Sequence, residues 1–276
     1  MNLYQLKLTS LALALVVSTA PASAQKVVGV NAAIKNRVQM KTSRDASLRK
    51  AMLKERVHIG DDIVTGRNSV LQILLRDRTS FTVGQNGRVK IDRFVYDVNN
   101  NASEVAVSVA KGAFRFISGK ATRNRKGRSS VRTPVGSIGI RGTIFEGAVG
   151  AAAVAIAKGE NVSANAIAGA NDEATLVVLR GPGKAAQNGE EPGAVDIRTE
   201  AGVFPLEQPG KAYFIPAKGS APLAFDISLA GLAAMQQLLR TSPDQPASAI
   251  ARPSIVRSPS TELIIEVSEG VQPTGP

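Results

Sequence analysis

The chain has no cysteine, no tryptophan and a single histidine among 276 residues. Without thiolates it cannot hold an iron–sulfur cluster or a cysteine-type zinc site, and thiol catalysis is excluded. No disulfide can brace the fold, so stability must come from burial. The one histidine, His58, lies in Arg56-Val57-His58-Ile59-Gly60-Asp61-Asp62, and nothing in the sequence sets a hydroxyl nucleophile beside it, so no triad is legible. Aromatic residues are 4% of the chain. That is too few for the stacking platforms that hold single-stranded bases, and nucleic acid is not an expected partner. Long apolar runs are also missing: LALALVV near the start falls short of the ~20 residues a spanning helix takes, and the apolar stretch 148–157 ends at Lys158.

Acidic residues are outnumbered, 22 against 34 basic ones, for a formal charge of +12. Such a surplus favours anionic partners. The first 24 residues carry one charge, Lys7, then the short apolar run, then Ala22-Ser23-Ala24. This is the pattern of an export signal cut after Ala24. The expected location is therefore periplasmic or secreted. There an anionic partner would be a phospholipid, lipopolysaccharide or acidic polysaccharide.

Along the chain the dominant signal is period-two alternation broken by Gly, Asn and Asp. Val89 and Ile91 alternate with charged residues, as do Val105, Val107 and Val109 with polar ones; 113–116 and 174–179 continue the pattern. Asp77-Arg78, Gln85-Asn86-Gly87 and Asn99-Asn100-Asn101 supply turn chemistry between the runs. These features predict a mainly β fold, many short strands in a sandwich or solenoid-like roll, with one or two short helices. The first helix is expected over 43–57, with Leu48, Met52 and Leu53 at helical spacing. The second is expected over 226–240, with Leu229, Leu232, Ala233, Gln236 and Leu239 on one face and Asp226 or Ser228 as cap. The expected organisation is a β core over 25–147, an Ala/Gly-rich insertion or loop over 148–173, and further strands of the same domain over 174–225. The helix at 226–240 and a Pro/Ser-rich flexible tail over 241–276 complete it.

No set of residues assembles into a catalytic centre, a metal site or a cofactor cradle. Gly60-Asp61-Asp62 reads as a turn before a strand rather than a carboxylate dyad. Arg123, Arg125, Lys126 and Arg128 put four cations into six residues, an anion-binding patch or a solvated loop. The segment TPVGSIGIRGTIFEG, 133–147, is glycine-rich but lacks the lysine of a phosphate loop and the following helix of a dinucleotide fingerprint. Its glycines instead suit a β-segment that bends or closely approaches another backbone.

That segment, Thr133-Pro134-Val135-Gly136-Ser137-Ile138-Gly139-Ile140-Arg141-Gly142-Thr143-Ile144-Phe145, resembles the signature of the FecR-like domain family. Gly60 to Gly66, Phe81 to Gly84 and Lys111 to Phe116 agree with the family's flanking elements in the same order, and weaker similarity continues at Thr175 to Leu179 and Gln208 to Ala212. The resemblance implies a β-rich periplasmic binding or signalling module with no catalytic residues. With an export signal in place of a cytoplasmic arm and anchor, sigma-factor control is not carried over. Within the motif, Pro134 is expected to start a strand, and Gly139 and Gly142 to permit unusual backbone geometry. Ile140, Ile144 and Phe145 are expected to be buried, Thr143 belongs to the motif's RGT element, and Arg141 is expected to be an internal tie, partly buried and paired. The function expected is recognition of a partner protein or envelope component without catalysis. The alternative is a surface-attachment protein whose basic face holds acidic polysaccharide or lipopolysaccharide.

Overall fold

The computed structural model describes residues 26–42, 45–100, 102–119, 128–185 and 192–241. The segment read as an export signal, the cations Arg123, Arg125 and Lys126, and the tail beyond 241 lie outside these residues.

Seventeen strands form one continuous hydrogen-bonded ladder, folded over into two sheets. The first sheet is built from β4 (Arg56–His58), β1 (Val27–Lys35), β6 (Val70–Leu75), β7 (Ser80–Val83), β9 (Ala102–Ile117), β12 (Ile144–Val149), β13 (Thr175–Gly181), β16 (Lys211–Ile215) and β17 (Leu223–Asp226), in that order. The second runs β3 (Asp45–Lys50), β2 (Val38–Thr42), β5 (Asp62–Thr65), β8 (Arg88–Asp97), β9, β10 (Arg128–Thr133), β11 (Gly136–Arg141), β14 (Ala194–Thr199) and β15 (Gly202–Leu206). Among the described residues only the β9–β10 pairing is parallel.

Strand β9 belongs to both sheets, and its sequence shows how. From Ser103 to Val109 small and polar residues alternate with buried valines, as in a strand with one wet face; from Ala113 to Phe116 every residue is buried. The change falls at Gly112, whose φ of +87° admits glycine readily and whose missing Cβ leaves room for Gly87 Cα, 2.4 Å from where that Cβ would sit. Beyond it, Phe114 and Phe116 enter the space between the sheets and meet Phe81 and Phe145 with ring centroids 5.8–6.3 Å apart.

The outer face of the first sheet is not left to solvent. Helices α1 (Ala151–Ala157) and α3 (Leu229–Leu239) cover part of it, burying Ala113, Ala148, Leu176, Phe214 and Met235 in a second apolar cluster. The short α2 (Ala164–Ala168) follows α1, so the segment 148–173 holds two helices. Ser228 caps α3 by accepting from Gly231 N at 3.0 Å, and the Glu160 carboxylate in turn accepts from Ser228 N and Oγ at 2.9 and 2.7 Å. At its other end, Leu238 O accepts from Gln85 N at 3.2 Å.

Two helix expectations fare differently. Helix α3 forms, but its buried stripe is Gly231, Met235, Gln236 and Leu239, while Leu229 is 85% exposed. Over 43–57 there is no helix among the described residues: β3 pairs with β2, Lys54 adopts a φ of +62°, and the backbone is tied to neighbouring strands through Ala51 N–Val38 O and Lys54 N–Asn31 O. Leu48, Met52 and Leu53 therefore point to solvent at 47, 60 and 57% exposure. Strand pairing overrode a local helical spacing, as tertiary context does for short segments.

Candidate functional site

The signature segment forms the β10–β11 hairpin and the step to β12. Pro134 and Val135 make the corner, closed by Thr133 Oγ1 donating to Gly136 O at 3.3 Å. Along β11 the alternation is strict: Ile138 and Ile140 go inward, at 1 and 6% exposure, while Ser137, Gly139 and Arg141 go outward. Gly142 then takes a φ of +57°, and the buried Thr143 anchors the crossing into the first sheet, its N–H donating to Ser118 Oγ at 3.1 Å and its hydroxyl to Pro182 O at 2.7 Å. Phe145 is fully buried; Ile144 is only partly so, because it stands on the outer face of the sheet. Gly139 needs no special φ; an added Cβ would make only an ordinary 3.5 Å contact with Arg198 Nη1.

Arg141 is not the partly buried tie expected of it. Its side chain is 51% exposed, and it pairs with Asp196 Oδ1 at 2.9 Å and Glu207 Oε1 at 3.5 Å on the surface. The reason is parity, since an odd position on β11 faces out when Ile138 and Ile140 face in. The buried cation of this region is Arg115, whose Nε donates to Glu146 Oε1 at 2.7 Å with both side chains nearly inaccessible. Arg180 approaches the other carboxylate oxygen at 3.9 Å. The available signal was a charged residue inside each of two apolar runs, Phe114-Arg115-Phe116 and Phe145-Glu146-Gly147.

The two carboxylates of Gly60-Asp61-Asp62 face different ways. Asp62 pairs with Arg88 at 2.8 Å near the surface. Asp61 is fully buried, its Oδ2 accepting from His58 N at 2.8 Å with His58 Nδ1 3.7 Å away. Burial pushes the Asp61 carboxyl above its usual 3.8, and the hydrogen bond from the His58 N–H opposes this without overcoming it. This is a turn with a buried anchor and not a dyad. No group of three or more His, Asp or Glu side chains suited to a metal exists among the described residues.

What the signature hairpin does build is a groove of about 490 Å³ on the outer face of the second sheet. Its floor is a cross-strand row, Ser130 on β10 and Gly139 on β11, continuing to Asp196 on β14. On one side stand Glu104, Arg128 and Arg141. On the other stands Arg198, and in its row, beyond Ser137 and outside the groove's lining, lies Arg132. The acids here are engaged: Glu104 with Arg93 at 3.2 Å, Asp196 and Glu207 with Arg141, and Glu207 also with Lys184 at 3.2 Å. Arg128, Arg132 and Arg198 have no ion-pair partner among the described residues and are exposed. Of the predicted basic run only Arg128 is described, and it falls on this groove. Arg132 and Arg198 carried no sequence signal, because their convergence depends on the pairing of β11 with the sequence-distant β14.

Residues 61–162 match the family model described as FecR protein. No curated protein matches. Two crystal structures of a candidate anti-sigma factor from Parabacteroides distasonis ATCC 8503, at 1.65 and 2.50 Å resolution, are similar at 14% identity and a TM-score of 0.39. Each alignment covers 60% of this chain and 59% of that one. No helix among the described residues is long and apolar enough to cross a membrane.

Proposed function

We propose that this FecR domain works outside the cytoplasm as a non-enzymatic binding or signalling module that recognises a partner protein through the groove of the second sheet. The observation carrying the proposal is that the signature hairpin places its outward positions Gly139 and Arg141 on the floor and wall of one open groove. FecR-type regulators interact with other proteins, which supports the same reading. The export signal read at 1–24 supports the location. Because the chain has no cysteine, Ser130→Cys offers a single labelling site on the groove floor, and Lys158→Cys one on the opposite, helix-bearing side of the sandwich. With a benzophenone maleimide on each, crosslinking in envelope extract should give a discrete protein adduct from position 130 and not from 158. Identical products from both positions, or none from either, would sink the proposal. An adduct at position 130 that contains polysaccharide and no protein, and that is lost on adding heparin, would favour the surface-attachment alternative.

A further inference from the structure

We infer that the occupant of this groove is an extended acidic segment of the partner, with carboxylates at positions i and i+4 and a small residue between them at i+2. The inference rests on the protein-partner reading above and adds its chemistry and spacing.

The charges come first. The carboxylates at the groove, Glu104, Asp196 and Glu207, are already answered by Arg93, Arg141 and Lys184, and the nearby Asp92 accepts from Ser108 Oγ, so the cations left over are Arg128, Arg132 and Arg198. A face whose own acids are satisfied internally, yet which keeps three unpaired guanidiniums, is complementary to anions brought from outside. Guanidinium forks favour planar, bidentate acceptors such as carboxylates.

The spacing follows from the strands. Arg128 and Arg132 are four residues apart on β10, about 13 Å at the ordinary strand rise. Both point outward, as does Ser130 between them. An extended peptide laid along β10 and β11 has the same rise and the same alternation. Its side chains at i, i+2 and i+4 therefore face the sheet in step with Arg128, Ser130 and Arg132. The middle side chain comes down on Ser130 and Gly139, which are paired across the strands. There Gly139 contributes no side chain, and the Arg198 guanidinium lies across it, 3.5 Å from the position a Cβ would take. Bulk at i+2 would collide with that guanidinium; a small residue leaves Arg198 free to reach a carboxylate. None of the described residues lining the groove is aromatic, so they offer no apolar ring platform to receive a sugar face. This favours polypeptide over glycan.

The test uses two nine-residue peptides of one composition, with two glutamates four apart around a glycine in the first and side by side in the second. Binding to the export-processed protein is followed by NMR titration, because exposed ion pairs are individually weak. The spaced peptide should bind several-fold tighter, shift the Ser130 and Gly139 amides, and weaken steeply with salt. Replacing Arg128, Arg132 and Arg198 together by Gln should weaken it by about tenfold and abolish the preference for spacing. Gly139→Val, which the strand geometry accommodates, should weaken binding while leaving the melting temperature unchanged or higher. Equal binding of the two peptides, or binding insensitive to the three arginines, would overturn the inference. So would a heparin pentasaccharide or phosphatidylglycerol vesicles binding more tightly through the same arginines. If position 130 captures a protein but neither peptide binds, the partner chemistry fails while the protein-partner reading stands.

Discussion

Arg115 on β9 and Glu146 on β12 face each other across adjacent strands, hydrogen-bonded at 2.7 Å and almost wholly removed from solvent. They stand on the outer side of the first sheet, at the border of the apolar cluster under α1 and α3, with Arg180 3.9 Å from the free carboxylate oxygen. A buried pair of this kind is costly to break because the remaining charge is stranded.

Glu146→Ala should therefore destabilise the domain by about 3–5 kcal/mol, measured by urea unfolding. The double variant Arg115→Met with Glu146→Leu should lose much less than Glu146→Ala alone, since no charge is left unpaired. A double variant as unstable as the single would mean that the pair itself, and not the stranded charge, carries the effect.

Arg141→Lys should shift stability by less than about 1 kcal/mol, the scale of an exposed ion pair. From the sequence, the motif arginine is expected to be an internal tie and a loss of several degrees follows. A small change in melting temperature for Arg141→Lys beside a large one for Glu146→Ala would locate the structural role in the second residue.

Gly112 is where β9 passes from one sheet to the other, with φ +87° and Gly87 Cα 2.4 Å from its missing Cβ. Gly112→Ala should cost about 2 kcal/mol or more, through left-handed strain and the clash with the Gly87 backbone together. Circular dichroism melting would read this directly, and a neutral outcome would show that the strand turns elsewhere.

The pH response should carry two opposed contributions. Burial raises Asp61 above its usual 3.8, so its share of stability is complete below 3.8 and lost as pH rises through the raised value. For Glu55, burial pushes upward but the hydrogen bonds from the Arg49 guanidinium and Met52 N–H outweigh it, so the group sits below its usual 4.5. Its share is present above 4.5 and lost as pH falls through the lowered value. Asp61→Asn should then gain stability relative to the parent as pH rises from about 4 to 7, with urea midpoints across that range as the measure. A gain that instead grows toward acid would reverse the assignment.

Much of this was readable from residues alone. Period-two alternation identified the β class and the inward faces of β8 and the first half of β9, because a strand with one wet face writes its orientation into every second residue. Turn chemistry located Asp77-Arg78 and Gln85-Asn86-Gly87, where Arg78 and Asn86 do take positive φ. The absence of cysteine and the scarcity of histidine removed whole classes of chemistry before any fold was known.

Tertiary structure decided the rest. Leu48, Met52 and Leu53 had helical spacing, but β2 was available to pair with β3, and hydrogen bonds from a neighbouring strand outweighed a weak local preference. Arg141 and Arg115 are both arginines flanked by apolar residues in the sequence. One is at the surface and the other buried because β11 has a single covered face, while β9 beyond Gly112 is covered on both. The groove is of the same kind: Ser130, Gly139 and Asp196 become neighbours only through strand pairing, and no local pattern records which distant strand will lie alongside.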